Sequence, residues 1–206
     1  MNYTIIEDCS PYYIRFTFNE LADIIQLAKS QPTEIIRRSP GYCHEHYSVE
    51  TANTIISMLP MSAMIEFKNQ RAALFNTPPG GGCGIHKDGG NAKVSFNIPI
   101  EISDNMCVTS WYSDEEVGHL PRNPALGKYS NNVWTNWKKL DQFTPARTMI
   151  AKPDEMILFN TDIFHCWSNH QSTYSRKMLT LRTVDTSMHF EEIRNLIFGK
   201  NFTSLG

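Results

Sequence analysis

His86 and Asp88 are the first side chains whose types and spacing could support chemistry, and they stand two positions apart in the stretch GGGCGIHKDGG. Alternate side chains of an extended segment point to the same face, so an imidazole nitrogen and a carboxylate oxygen can reach one metal ion. The flanking glycines allow sharp backbone turns and leave room beside the ion. Because His-x-Asp is common by chance, the pair predicts a metal site only together with a third ligand.

The third candidate ligand, His165, follows the stretch KPDEMILFN, a pattern typical of a turn that leads into a buried strand. Two histidines and one carboxylate on one face of an ion leave other coordination positions open, as in non-haem iron(II) oxygenases. Such positions allow a bidentate cosubstrate and dioxygen to bind next to each other. We therefore predict that His86, Asp88 and His165 are metal ligands and form the catalytic centre.

A candidate for binding an organic acid is Arg176, which opens the apolar run Lys177 to Thr183. Its planar guanidinium can form paired, charge-assisted hydrogen bonds with a carboxylate, which a lysine cannot do. Arg182 lies on the same predicted strand and is a rival for this role.

Ser95 and Asn97 share one face of a predicted strand whose other face is apolar. Polar residues in alternation on a core strand indicate a polar cavity. A solvated outer face would give the same pattern, so both interpretations stay open.

The elements that must position these residues are predicted from hydrophobic periodicity. Three helices are expected, and they begin near Glu20 after a Thr17–Glu20 capping-box pattern, at Val49, and at His189 between Ser187 as cap and Gly199 as end. Strands are expected over 3–7, 12–18, 63–67, 72–75, 93–98, 106–112, 149–151, 156–159 and 177–183. Several short strands with turn residues between them predict a mainly β fold with flanking helices, an antiparallel sandwich or barrel such as a jelly roll.

The predicted organisation is a single domain over residues 1–206, with a β core over about 62–185 and an inserted polar loop over about 113–145. A connection of that length inside a domain is usually functional or disordered. Trp134 and Trp137 in this loop either cover the active site or pin the loop to the core.

Composition excludes several classes of protein. Hydrophobic residues make up 41% of the chain and charged residues 19%. The net charge is -2, so the chain lacks the excess of basic residues that would indicate a nucleic-acid partner. No apolar run is long enough for a membrane span. The five cysteines lack a Cys-x-x-Cys spacing, and the first residues do not resemble a signal peptide, so we expect a reduced, cytoplasmic setting.

The order His-x-Asp, Pro-led strand, His and Arg resembles the 2-oxoglutarate/Fe(II)-dependent dioxygenase superfamily, in particular its aspartyl/prolyl hydroxylase-like branch. The segments GIHKDGG, KVSFNIPI, DEMILFNTDIFHCWSN and SRKMLTL carry the resemblance, within residues 72–183.

This resemblance implies a double-stranded β-helix (the cupin-like jelly roll), Fe(II), 2-oxoglutarate as cosubstrate, and dioxygen. It also implies hydroxylation of a C–H bond in a peptide or small-molecule substrate, such as a peptidyl or free amino acid side chain. The implied roles are iron ligation by His86, Asp88 and His165, binding of the distal cosubstrate carboxylate by Arg176, and contact with the near end of the cosubstrate by Ser95, Asn97 and, more weakly, Asn76.

Two other functions remain as alternatives: a cupin-like metal enzyme that does not use 2-oxoglutarate, and a non-catalytic ligand-binding jelly roll. A zinc site at Cys43-His44-Glu45-His46 is not expected, because no second ligand pair completes a tetrahedron. We interpret that stretch as a solvated loop.

Overall fold

The computed structural model describes residues 3–69, 72–88, 93–102, 106–122 and 132–199. Within these ranges the strands are β1 Thr4–Cys9, β2 Tyr13–Thr17, β3 Thr33–Ser39, β4 Tyr42–Tyr47, β5 Ala73–Thr77, β6 Gly82–His86, β7 Val94–Glu101, β8 Val108–Tyr112, β9 Asn132–Trp134, β10 Arg147–Ile150, β11 Met156–Asn160, β12 Phe164–Ser168 and β13 Arg176–Arg182. The helices are α1 Leu21–Ser30, α2 Val49–Ser57, α3 Asp114–Val117 and α4 Phe190–Phe198, with a 3-10 turn at Pro60–Ala63.

The strands form two antiparallel sheets. The larger has the order β1-β2-β11-β7-β13-β5-β4-β3, and the smaller has the order β10-β8-β12-β6-β9. In both sheets some neighbouring strands come from distant parts of the chain, such as β2 and β11 or β12 and β6, as in a jelly roll. The predicted jelly roll is thus confirmed, and so are the helices that flank it.

The main hydrophobic core lies between the outer face of the larger sheet and the helices. Phe96 on β7 and Leu181 on β13 pack there with Leu21 and Ile24 of α1, all almost fully buried. Each such side chain contributes roughly 1.5–3 kcal/mol by leaving water. The helices therefore hold the larger sheet by one face and leave its other face for the smaller sheet.

A second cluster joins the inner faces of the two sheets. Trp111 of β8 stacks on Tyr13 of β2 with ring centroids 5.0 Å apart, and it also meets Phe159 of β11 at 4.7 Å. This cluster closes one end of the sandwich, and the interior beside it is open.

Most of the elements predicted from periodicity are present, with several corrections. The stretch 63–67 is not a strand; it follows the 3-10 turn, and Phe67 alone makes an isolated bridge, to Thr183. The N-caps of two helices were predicted wrongly: Glu20 caps α1 without a side-chain hydrogen bond, and His189 with Glu192 forms the capping box of α4. The predicted end of α4 at Gly199 is confirmed. The stretch 42–47, interpreted as a solvated loop, is strand β4.

The inserted loop contains α3 and the short strand β9, and its residues 123–131 lie outside the described ranges. Trp137 donates a hydrogen bond from Nε1 to the carbonyl of Gly80 at 3.1 Å, and Trp134 packs edge-on against Phe143. The Trp137 contact fits pinning the loop to the sandwich, whereas the ring contact of Trp134 lies within the loop itself. None of the described helices has the length and apolar character needed to span a bilayer.

Candidate metal centre

His86 and His165 meet because their strands pair. β6 and β12 are antiparallel neighbours, and His86 and His165 are directly opposite each other in the register. Directly opposed residues have Cβ atoms about 4.5–5.5 Å apart, and the two imidazole rings are 4.4 Å apart between centroids. The strand pairing alone therefore brings together two ligands from distant parts of the sequence.

Asp88 is held next to them by two contacts. Its backbone N–H donates to the carbonyl of Thr161 at 3.1 Å, which fixes the chain just beyond β6. Its Oδ2 accepts from Nη2 of Arg182 at 2.7 Å, while its Oδ1 lies 3.4 Å from Nε2 of His86. One carboxylate oxygen of Asp88 thus binds Arg182, and the other faces the histidines.

The two imidazoles are oriented as metal ligands. Nδ1 of His86 donates to the carbonyl of Gly84 at 2.8 Å, and Nδ1 of His165 donates to the carbonyl of Ile163 at 2.9 Å. Because a carbonyl can only accept, these bonds place a proton on each Nδ1, so Nε2 is the nitrogen of each ring that binds a metal when it carries no proton. Such a contact at Nδ1 is the usual second support of a ligating histidine.

The three groups fit one divalent cation. Ligand atoms of His86, Asp88 and His165 all lie within 4.8 Å of one another. Two ligands bonded to one ion at about 2.1 Å are at most about 4.2 Å apart, so small side-chain adjustments close the site around an ion. The predicted ligands are therefore brought together, on one side of the interior.

Charge favours the same conclusion. Burial, followed by the neighbouring positive charge of His86, lowers the pKa of His165 to about 3, so this ring is neutral at ordinary pH. Burial alone would raise the pKa of Asp88, but Arg182 and the histidines outweigh it and hold that pKa well below its usual range. Burial also opposes protonation of His86, yet Cys83 and Asp88 raise its pKa. An ionised carboxylate beside imidazoles is a site that attracts a cation.

The metal ligands open into a cavity of about 640 Å³ between the sheets, lined by residues of both. Its volume is in the range of pockets for small ligands. Arg176, Met178, Thr180 and Arg182 line it from β13, since alternate residues of that strand face inward.

Arg176 lies in this cavity wall and is 7% exposed. Across the described ranges, no hydrogen bond or ion pair engages its guanidinium. Its guanidinium therefore meets the open space of the cavity, where the planar fork offers paired hydrogen bonds to an anion. Arg182, the rival, instead holds Asp88.

Ser95 and Asn97 also line the cavity, which decides between the two interpretations of their strand face. Asn97 Oδ1 accepts from the Thr180 hydroxyl at 2.8 Å. Asn76 is not brought to the cavity within the described part of the chain; its amide donates to Glu45 at 3.1 Å, because it faces outward between the inward-facing Phe75 and Thr77.

Several cavity residues were not identified from the sequence. Tyr42, His44 and His46 line it from β4, and Trp167 lines it from β12. The alternation of Tyr42, His44 and His46 at every second position was a usable signal of a strand with one polar face.

No protein-family model matches the sequence, and no curated protein is detectably similar to it. Solved structures do resemble it. HygX from Streptomyces hygroscopicus, in a structure with nickel and 2-oxoglutarate bound, aligns with a TM-score of 0.53 at 9% identity, over 86% of this chain and 84% of that one. The same protein with nickel, 2-oxoglutarate and hygromycin B bound gives 0.52 at 8% identity over the same shares.

A 2OG-Fe(II) oxygenase family oxidoreductase from Burkholderia pseudomallei aligns at 15% identity with a TM-score of 0.46, over 80% of this chain and 77% of that one. Identity this low establishes shape and not activity. The chain therefore has the fold of HygX, with a His-Asp-His cluster in its interior.

Proposed function

We propose that this chain is a 2-oxoglutarate-dependent Fe(II) oxygenase. The observation that carries the proposal is the guanidinium of Arg176, which lines the same cavity as His86, Asp88 and His165 and has no hydrogen bond or ion pair with any residue that the structure describes. A metal site explains the histidines, and a dicarboxylate cosubstrate explains the arginine. The HygX structures with bound 2-oxoglutarate, on the same fold, support this assignment.

His86, Asp88 and His165 would hold the ion on one face and leave the cavity side open. A ferrous ion bound there would supply the redox chemistry that couples decarboxylation of 2-oxoglutarate to oxidation of a C–H bond. Arg176 would bind the distal carboxylate of 2-oxoglutarate as a paired, charge-assisted contact. Ser95 and Asn97 would meet its near end, and the apolar residues around them would exclude water.

The reaction is the hydroxylation of a C–H bond. One oxygen atom of dioxygen enters the substrate as a hydroxyl group, and the other enters succinate as 2-oxoglutarate loses carbon dioxide. The two electrons from the C–H bond and the two from the oxidative decarboxylation together reduce dioxygen. The substrate is a small molecule or a peptide side chain that enters the open side of the cavity.

Succinate formation by the purified protein with Fe(II), 2-oxoglutarate and dioxygen tests the proposal. His165→Ala should abolish it, and Arg176→Ala should raise the KM for 2-oxoglutarate about tenfold to a hundredfold, the cost of a lost hydrogen bond to a charged group. Lys177→Ala is the matched control, because Lys177 is the next residue on β13 and pairs with Glu101 outside the cavity. It should leave the KM unchanged.

The alternatives predict other results. A cupin-like enzyme that does not use 2-oxoglutarate would bind metal but respond equally to the Arg176 and Lys177 variants. A non-catalytic ligand-binding jelly roll would take up no metal. Succinate formation that survives His165→Ala would overturn the metal assignment.

A further inference from the structure

The cavity has a charge opposite to that of the whole molecule. Arg37, Lys87, Arg176 and Arg182 line it, whereas Asp88 is the single carboxylate among its lining residues in the described ranges. The chain itself has a net charge of -2. Positive charge concentrated in a concave site raises the local concentration of anions.

Three of these four cations already have a function or a partner. Arg182 holds Asp88, Lys87 pairs with Asp114 at 2.9 Å, and Arg176 is assigned to the cosubstrate. Arg37 is the fourth cation, and no salt bridge joins it to any residue that the structure describes. Its exposed side chain stands where β3 meets the cavity.

A β-bulge aims Arg37 inward. The β3–β4 register shifts between Ile35 and Arg37, so Ile36 is an extra residue and both Ile36 and Arg37 line the cavity. A bulge re-aims side chains in this way and is common beside binding sites.

Arg37 belongs to a row of side chains across the larger sheet. It is opposite His44, His44 is opposite Phe75, and Phe75 is opposite Met178 in the register. His44 stacks on Phe75 with centroids 4.7 Å apart and planes 8° apart, and its Nε2 lies 3.2 Å from Nε2 of His46. The row therefore leads from the middle of the cavity to a cationic, imidazole-rich edge.

Aromatic rings connect this edge with the metal ligands. Trp167 has its ring centroid 5.9 Å from that of His86, 5.8 Å from that of Phe75 and 5.3 Å from that of Tyr42. Between the reacting end and Arg37 the cavity thus offers a mostly aromatic wall, which suits an apolar or planar body.

We propose that this wall is the substrate subsite and that the substrate is a small anion. Its oxyanion group, a carboxylate or a phosphate, binds Arg37 next to His44, and its apolar or aromatic body lies on Phe75, Tyr42 and Trp167. The inference rests on the proposed function in that His86 marks the reacting end. A guanidinium suits either oxyanion, since its planar fork matches both.

Calorimetric titration of the anaerobic protein, loaded with Fe(II) and saturating 2-oxoglutarate, tests the subsite without turnover. The probes are phenylacetate, phenyl phosphate and the neutral phenylacetamide. At least one anion should bind about tenfold or more tightly than the amide, because a hydrogen bond to a charged group is stronger than a neutral one. The anion that binds more tightly shows whether the subsite prefers a carboxylate or a phosphate.

Arg37→Gln should remove that preference and leave amide binding unchanged. Arg38→Gln is the matched control, because Arg38 is the neighbouring exposed arginine on β3 and does not line the cavity. Equal binding of anions and amide, or equal behaviour of the two variants, would overturn the inference.

The failure of the proposed function would look different. Titration of 2-oxoglutarate itself into the Fe(II) protein reports on Arg176, and succinate formation without substrate reports on the metal centre. If both are normal while the anion preference is absent, the substrate class alone is wrong. If the anion preference is present and Arg37-dependent but neither 2-oxoglutarate binding nor succinate formation is found, the subsite stands and the proposed reaction is wrong.

Discussion

Arg176 and Arg182 differ in their contacts, although both lie on the cavity face of β13 because an even number of positions separates them. Arg182 touches Asp88, and Arg176 has no described partner. Arg182 therefore supports a proposed metal ligand, and contacts of this kind orient a ligand and affect metal affinity. This separation of roles can be measured.

Arg182→Gln should weaken metal binding about tenfold to a hundredfold, because Asp88 loses the contact that fixes its orientation. The KM for 2-oxoglutarate should change little at saturating metal. Metal affinity is measured by competition with a chromophoric chelator, and Arg176→Gln is the reciprocal control. If Arg182→Gln keeps its metal affinity but has a higher KM for 2-oxoglutarate, the roles assigned to Arg176 and Arg182 are the wrong way round.

At the scale of elements, the sequence predicts strands well where one face is core. β7, β11 and β13 alternate or run apolar because they lie in the middle of the larger sheet. β3 and β4 were missed since their residues are mostly polar: they form the edge of the sheet, and the inward face of β4 lines a polar cavity. β6 was missed as a strand because it contains Gly82 and Gly84 and follows Gly81 directly. Gly84 lies against the carbonyl of Trp134.

The site was predictable to a similar degree, for a physical reason. The three proposed metal ligands and Arg176 have distinctive residue types in a distinctive order, so the sequence could single them out, and the structure brings the three proposed ligands together. Asn76 was a weaker candidate that the family resemblance implied, and a shift of one position along β5 turns a side chain out of the cavity. Arg37 was invisible because a β-bulge, which no periodicity reveals, directs it inward.

The two ends of the described chain are joined by an ion pair between elements. Arg194 of α4 donates to Asp8 of β1 at 2.9 Å, with the Asp8 side chain 7% exposed. Burial alone would raise the pKa of Asp8, but hydrogen bonds from Ser10 and Arg194 outweigh it and lower that pKa. The pair holds α4 on the sheet together with the edge-on contact of Tyr3 and Phe198.

Asp8→Asn should lower the free energy of unfolding at pH 7 by about 2 kcal/mol, the loss of a hydrogen bond to a charged group. Since the folded-state pKa is depressed, the ionised form stabilises the fold above about pH 4, the unfolded value, and this contribution is lost as the pH falls through the folded value. The difference between wild type and variant in urea unfolding should therefore shrink in acid. Glu191→Gln, which removes the exposed carboxylate 3.9 Å from Arg194, should cost under about 0.5 kcal/mol. If Asp8→Asn and Glu191→Gln lower the free energy of unfolding equally, the Arg194–Asp8 pair contributes no more than an exposed ion pair.

At the scale of the molecule, the proposed metal site connects the two sheets through Arg182. His86 and His165 belong to the smaller sheet, and Arg182, which holds Asp88, belongs to the larger. An ion at this place is bound by the folded state and by little of the unfolded chain. Its binding energy is therefore added to the stability of the whole sandwich.

A divalent metal at a hundred times its dissociation constant should stabilise the fold by about 2.7 kcal/mol, which corresponds to a rise in Tm of roughly 5–10 °C for a chain of this size. Ni²⁺ in place of Fe²⁺ avoids oxidation during the scan. The rise, measured by scanning calorimetry, should disappear in His165→Ala. A rise of the same size in that variant would place the ion elsewhere.

The β3–β4 hairpin lies at the edge of the larger sheet and meets the strands of the proposed metal ligands at its turn. There Gly41 accepts a hydrogen bond from the backbone N–H of Gly82 on β6 at 2.9 Å, and Tyr42 packs on Trp167 of β12. β3 touches no strand but β4 in the larger sheet, while the metal ligands belong to β6, β12 and the turn after β6. We therefore expect substitutions within residues 33–47 that keep Gly41 and Tyr42 to change which molecules the cavity accepts more than they change the reacting centre. The hairpin is thus a place to redirect this scaffold to new molecules.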